Sequence, residues 1–378
     1  MKTAEWARAL CEDTELAVRV VRLAASPDVT PELIRRAVAA RLETAAAIDV
    51  QAIVEALEEA LRRRARLADA AATERAGRAL AAAQARLLLV GHPDYPPRLG
   101  NAWPELGAPP WIFLRHCLHH GLPDAPSVAV VGTRHPTLDG TQTAARLARL
   151  LARHGVVVVS GMARGIDQAA HRGALEGGGL TVGVLGAGFG VDYPYGDGPL
   201  RERVAASGGL VTELLPGVAP RPRHFPWRNR ILSALADVTV VVEARERSGA
   251  LQTARLAASQ GRDVFAVPGS LSQPTARGPL DLIRDGAQPL CRLEDMLDVL
   301  GLTSLEGHAP PAGPLPTLTA PAAAVLRLLG ATPAPPDDLA AALGRPIPEI
   351  LAASAELAAR GLALPTARGL VIAGQPGR

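Results

Sequence analysis

The sequence predicts an α/β protein: a Rossmann-like doubly wound parallel sheet, with an all-α N-terminal domain and a small winged-helix C-terminal domain. Three observations carry this. Between residues 127 and 300, short apolar β-branched runs alternate with amphipathic helical stretches, as in successive βαβ units. Before residue 87 the chain is rich in Ala, Leu and Arg at helical spacing, with few strand formers. After residue 319, three helical stretches precede two short apolar runs joined by a turn. The 378 residues allow two or three domains. The expected divisions are a helical segment at 1–86 (SAM-like), a core with its lead-in at 87–300, a Pro-rich linker at 301–319 and the winged helix at 320–378.

In the first segment, Ser26-Pro27-Asp28 and Thr30-Pro31-Glu32 read as helix starts with Pro at the first helical position. Leu33, Ala37, Val38 and Leu42 then make one apolar face, and Ile53, Val54, Leu57 and Leu61 another. The basic run Arg62–Arg66 invites a DNA reading. Glu55, Glu58 and Glu59 one turn earlier instead give a solvated helix face with i,i+4 pairs. With 14 basic and 13 acidic residues over 1–86, this segment is no electrostatic attractor. Leu87–Val90 starts a strand and enters a Pro-rich turn. The stretch to Leu114, carrying Tyr95, Trp103, Trp111 and Phe113, reads as a connector packed on the next domain. His116, His119 and His120 have no carboxylate or cysteine beside them and read as loop surface.

The core opens on the strand Val128–Val131, ending in Gly132-Thr133-Arg134. A helix with Ala144, Leu147, Ala148 and Leu151 on one face follows, and Gly155 ends it. A second strand, Val156–Val159, runs into Ser160-Gly161-Met162-Ala163-Arg164-Gly165. Further strands are expected at 180–185, 210–212, 238–242 and 264–267, with a short one near 289–291. Helices are expected near 166–176, 198–207, 229–236, 250–260 and 279–285. In the last segment helices are expected at 322–329, 337–343 and from Pro346 to Arg360, with a hairpin over 362–372. The third of these helices carries only Glu349, Glu356 and Arg360 as charges, which favours a protein contact or a structural wing over a DNA-reading helix.

Bulk properties narrow the function. The net charge is +3, yet of 40 basic residues only Lys2 is lysine. The abundance of Ala, Gly, Pro and Leu makes a GC-rich genome the simple source of that bias, and its physical result is planar, bidentate phosphate contacts. Cys11, Cys117 and Cys291 lie far apart, so neither a zinc site nor a disulfide framework is expected, and a reducing cytoplasm is. No apolar signal-peptide region and no stretch of 18 uncharged apolar residues occurs.

Four clusters fall at the carboxyl ends of strands, where open α/β sheets bind ligands. They are Gly132–Arg134; Ser160–Gly165; Ser248-Gly249-Ala250-Leu251-Gln252-Thr253; and Pro220–Arg230. From Leu214 to Ala236 there are four arginines (Arg221, Arg223, Arg228, Arg230) and no acid, with Phe225 and Trp227 interleaved. Arginines suit phosphates and flat rings suit unstacked bases. A Walker GxxxxGK[ST] is absent, and Gly186-Ala187-Gly188-Phe189-Gly190-Val191 lacks the last glycine of GxGxxG. A nucleotide cofactor is therefore not expected. Asp167 and His171, four apart on one helix, have the form of an acid–base pair but are equally explained by capping and by a polar bond within the fold.

Taken together, Val131-Gly132-Thr133-Arg134, Ser160–Asp167 with Ala170-His171, Tyr193-Pro194, Phe225–Arg230, Ser248–Thr253 and Val267-Pro268-Gly269 resemble the DNA-processing protein A family (DprA, also called Smf). The resemblance implies a non-catalytic, cytoplasmic single-stranded-DNA-binding recombination mediator that loads RecA during natural transformation. It also implies a homodimer formed through the core, and no cofactor or metal. It implies DNA contacts by Gly132, Thr133, Arg134, Ser160, Gly161, Arg164, Gly165, Arg221, Arg223, Phe225, Arg228, Asn229, Arg230, Ser248 and Gly249. The family's N-terminal domain often has a Gly-rich hairpin, whereas residues 1–86 hold only Gly77. The alternative is a nucleotide-processing enzyme of the nucleoside monophosphate phosphoribohydrolase type using Asp167, His171 or Glu243. The PGGxGT signature of that family is absent. A third reading, a winged-helix regulator of duplex DNA, is disfavoured by the near-neutral third helix.

Overall fold

Strands of four or five residues, nearly all β-branched and buried on both faces, can be satisfied only as the interior of a sheet covered by helices on both sides. The computed structural model has this arrangement. It describes residues 11, 13–26, 33, 50–62, 67–90, 94–100, 109–115, 125–302, 319–329, 334–359, 363–366 and 369–372. Ser26, read as a helix start, instead ends the helix Thr14–Ala25; residues 27–32, the face at 37–42, the histidines at 116–120 and the linker at 303–318 lie outside the described residues.

Two compact units result, residues 1–310 and 311–378. In the first, α1 (Thr14–Ala25), α2 (Val50–Arg62) and α3 (Ala70–Ala82) precede β1 (Ala85–Leu89). The short α4 (Pro97–Gly100) and β2 (Trp111–Arg115) lead into the βα repeat. That repeat runs β3 (Ser127–Val131), α5 (Leu138–Arg153), β4 (Val157–Ser160), α6 (Ile166–Glu176), β5 (Thr181–Val184), α7 (Gly198–Ser207) and β6 (Gly209–Thr212). It continues with α8 (His224–Ala234), β7 (Val238–Val241), α9 (Gly249–Ser259), β8 (Asp263–Ala266), α10 (Arg277–Arg284), β9 (Gln288–Pro289) and α11 (Leu293–Val299).

The nine strands are ordered β1-β2-β6-β5-β4-β3-β7-β8-β9. Pairing from β6 to β9 is parallel, and β2 and then β1 add antiparallel at the edge. The alternation of strand residues divides the core between two faces. Val128, Val130, Val158 and Val240 pack under α5 and α6, while Val131, Val159, Val184 and Val241 pack under α8 and α9. From β3 the chain winds outward through β6, returns, and winds the other way from β7. The switch point of the sheet therefore lies between β3 and β7.

Two expectations change. The connector at 109–114 is largely a strand: Trp111, Ile112 and Phe113 are buried, and β2 joins β1 to β6. The N-terminal helices pack on that edge, where Leu16, Val20, Leu57 and Leu80 share one apolar cluster with Trp111, Phe113 and Leu210. Helix α8 starts at His224 rather than near 229, so much of the expected Arg/aromatic loop is helix. In the second unit, α12 (Ala320–Leu328), α13 (Pro336–Leu343) and α14 (Ile347–Ala359) precede the antiparallel pair β10 (Ala363–Thr366) and β11 (Gly369–Ile372), a winged helix.

Candidate nucleic-acid interface

The switch point is built by close approach of two strand ends. Thr133 N–H donates to the Glu243 carbonyl at 2.7 Å, tying the end of β3 to the end of β7. Glu243 is buried, and its carboxylate accepts from Thr137 N–H at 2.9 Å, Thr137 Oγ1 at 2.6 Å and Gln273 Nε2 at 2.8 Å. Thr137 in turn caps α5 through Gly140 N–H at 3.0 Å. The carboxylate is thus spent on holding the loop after β3 and is not offered to a substrate.

The loop after β4 is fixed in the same way. Met162 has a φ of +56°, a backbone state that side-chain-bearing residues rarely adopt. Asp167 sustains it by accepting from Gly161 N–H at 3.1 Å and Ala163 N–H at 3.3 Å. Gly165, with a φ of +85°, lies so close to the preceding loop that a Cβ would sit 2.4 Å from the Thr133 carbonyl oxygen. Only glycine lets the two loops meet there. Burial pushes the Asp167 carboxyl up to about 6, against the pull of Arg228.

Between these loops and the start of α9 lies a cleft of about 310 Å³. Gly132, Thr133, Arg134, Phe225, Arg228, Asn229, Ser248 and Gly249 all line it. Arg134 is exposed, and its guanidinium lies 5.0 Å from the centre of the Phe225 ring. Phe225 also meets Tyr193 with ring centroids 5.4 Å apart. A neighbouring cleft of about 410 Å³ shares Arg134, Phe225, Asn229 and Gly249 and adds Arg221. Ser248 caps α9 through Leu251 N–H at 3.4 Å, leaving the exposed Gly249 at the start of that helix, where backbone N–H groups suit an anion.

Other residues of the expected set lie elsewhere. Ser160 is fully buried and donates to the Val130 carbonyl at 2.7 Å, and Gly161 is buried beside it. Arg230 is 3% exposed, ion-paired with Glu213 at 2.5 Å, and its guanidinium is 4.1 Å from the Trp227 ring centre. Arg228 is 6% exposed; its Nη1 donates to the Gly161 carbonyl at 2.7 Å and also to the Val184 carbonyl. The side chains of Ser160, Arg228 and Arg230, expected as DNA contacts, are engaged within the fold: helix α8 turns both arginines inward, where Arg228 holds strand-end carbonyls and Arg230 pairs with Glu213. Arg164 is exposed on the flank nearer Asp197, whose carboxyl it helps hold down against a larger upward push from burial. Arg223 is exposed beside a separate cavity.

Two residues were missed. Arg245 and Arg247, in the loop after β7, are exposed and line the cleft. Glu246 between them faces away to Arg277 at 3.2 Å. The alternation Arg-Glu-Arg just before the Ser248 cap was the available signal. Asp167 is the one carboxylate lining this cleft among the described residues; it accepts from the Gly161 and Ala163 N–H groups and lies in the field of Arg228.

His171 is not poised as a base. It is fully buried, with Nδ1 2.7 Å from Thr181 Oγ1. Thr181 Oγ1 donates to the Val158 carbonyl at 2.8 Å, so His171 Nδ1 must carry the proton. Burial, with Arg228 and Arg172 adding, lowers His171 to about 3. A lowered folded value means stability present above the unfolded value near 6.5 and lost as pH falls toward 3. We expect His171→Asn to flatten the acid side of the stability curve. Between pH 6 and 4 the unaltered chain should lose up to about 1.4 kcal/mol per pH unit through this group. Chemical denaturation at stepped pH reads this directly, and parallel curves for the two proteins would refute it.

Residues 86–301 match the family profile described as DNA recombination-mediator protein A. The chain belongs to that family. Residues 309–358 match the DprA winged helix domain. The DNA processing protein DprA of Bacillus subtilis is 43% identical over 46% of this chain and 58% of its own length, so the alignment spans less than two thirds of that relative. Among solved structures, DNA processing protein A of Streptococcus pneumoniae superposes with a TM-score of 0.61 at 28% identity, covering 75% of this chain and 96% of that one. The Helicobacter pylori DNA processing protein A, whose single-stranded DNA binding mode is the subject of its structure, matches with a TM-score of 0.50 at 28% identity, over 57% of this chain and 95% of that one. No helix among the described residues is long and apolar enough to cross a membrane.

Proposed function

We propose that this protein binds single-stranded DNA along the carboxyl ends of its parallel strands and acts as a cytoplasmic, non-catalytic recombination mediator. In this reading it protects incoming strands and loads RecA on them during natural transformation, as a homodimer formed through the core. The observation that carries the DNA reading is the switch-point cleft, where exposed Arg134, Arg245 and Arg247 surround Phe225 and the cleft's one carboxylate is engaged internally. Arginines neutralise phosphates there, the start of α9 donates N–H groups, and Phe225 stacks on a base. Among the binding residues, Gly132, Thr133 and Gly249 offer backbone, Ser248 and Asn229 offer polar groups, and Arg134, Arg164, Arg221 and Arg223 offer charge. Gly161 and Gly165 shape the loop that carries Arg164. Asp167, His171 and Glu243 each have a structural duty, which supports the non-catalytic reading over nucleotide hydrolysis.

The test is a salt titration with a labelled oligothymidine. Neutralising about five phosphates on a single strand gives a slope of about −3.5 in log K against log salt. A flat dependence, or equal affinity for a duplex of the same length, would overturn the assignment. Release of free base from nucleoside monophosphates would favour the enzyme instead.

A further inference from the structure

Behind helix α8 lies a second cavity of about 190 Å³, apart from the cleft that holds Arg134 and Phe225. Its walls are largely apolar: Trp111 from β2, Trp227 and Ile231 from α8, Leu185 after β5, and Val218 from the loop before α8. Ala24 of α1 closes one side, so the N-terminal helical segment forms part of it. Trp111 is 2% exposed and closes the back of the cavity, while the half-buried Trp227 presents ring surface to it.

The cavity is also positively framed. Arg221 and Arg223 stand exposed in its lining and Arg228 lies in its floor, whereas its carboxylate, Glu213, is taken by Arg230. Arg221 also lines the cleft that contains Arg134 and Phe225. The two spaces are therefore joined by one residue of the proposed phosphate path. A ligand that fits must be flat, apolar on its faces and tethered to an anion. A volume of roughly six waters suits a single pyrimidine ring better than a stacked pair.

We infer that this cavity takes one unstacked pyrimidine base of the bound strand, seated against Trp227, with its phosphate on Arg221 and Arg223. The inference rests on the single-stranded-DNA reading above. It adds a second base position beyond Phe225 and gives α1 a part in binding.

The test uses the full chain and an oligothymidine carrying 5-iododeoxyuridine at every position, irradiated and mapped by mass spectrometry. Cross-links at Trp227 support the inference. Affinity for the unmodified oligothymidine is measured alongside for Trp227→Leu, which removes the flat ring, and Val218→Phe, which narrows the cavity. We expect a loss of about fivefold to tenfold from each, the scale of one stacked base. Cross-links confined to Phe225 and the switch-point loops, with both variants binding like the unaltered chain, would overturn the base pocket and leave the DNA-binding assignment standing. If the unaltered chain neither binds nor cross-links, both fall together.

Discussion

Replacing both Arg134 and Arg164 with alanine is expected to weaken oligothymidine binding by about 100-fold or more while leaving the melting temperature unchanged. Each exposed arginine that donates to a phosphate contributes on the order of 1.5–3 kcal/mol, and the two stand on adjacent strand-end loops that touch through Gly165 and Thr133. Position divides the effect unequally. Arg134 lines both switch-point clefts and lies over Phe225, so its loss also frees the stacking ring. Arg164 stands on the flank outside those clefts. Arg134→Ala alone should therefore account for most of the loss and should flatten the salt slope by about one phosphate's share, ~0.7. Fluorescence anisotropy at three salt concentrations measures both quantities. A double variant that binds as tightly as the unaltered chain would remove the switch point as the DNA site.

The second large effect is on stability. Arg228→Ala is expected to destabilise the first unit by about 3–5 kcal/mol, the cost of leaving a buried charge without its partner. That corresponds to a fall of roughly 10 °C in Tm. Arg228 sits between the Gly161 and Val184 carbonyls and faces the buried Asp167. Burial lowers its own value to about 10, so it stays charged at neutral pH. Without it, Asp167 loses the cation that holds its carboxyl down, and the positive-φ turn at Met162 loses part of its support. The arginine-specific pattern is that Arg228→Lys should also destabilise, because an ammonium does not span the same carbonyls. A variant with native Tm but lost DNA affinity would restore Arg228 to the role of a phosphate contact. Differential scanning fluorimetry with and without oligonucleotide separates the two.

These two arginines mark the boundary of what local sequence can disclose. Arg134 follows a buried strand and a glycine, so its place at a strand end was legible from turn chemistry and hydrophobic period alone. Arg228 lies in a stretch of alternating arginine, proline and aromatic residues that has the composition of a binding loop. Only the packing of α8 against the switch-point loops turns it, with Arg230, into the interior. The same limit explains β2: Trp111 to Leu114 is apolar enough for a strand, but its antiparallel partner β6, Gly209–Thr212, lies far away in sequence. Arg245 and Arg247 went unnoticed for the opposite reason: their alternation with Glu246 is a weak local mark that gains meaning only when the facing wall is in place.

By itself, then, the sequence determined the alternation of buried strands and amphipathic helices, the clusters of small residues and arginine that end the strands, and the family those clusters resemble. These are properties of neighbours along the chain, set by side-chain period, turn geometry and capping. The tertiary structure alone decided the strand order that sets β3 beside β7 and so assembles the cleft. It also decided which arginines are solvated and which support the fold, and it joined the N-terminal helices to the core. An arginine's charge is fixed by its chemistry, but whether that charge meets water, a phosphate or a buried carboxylate depends on what packs across from it.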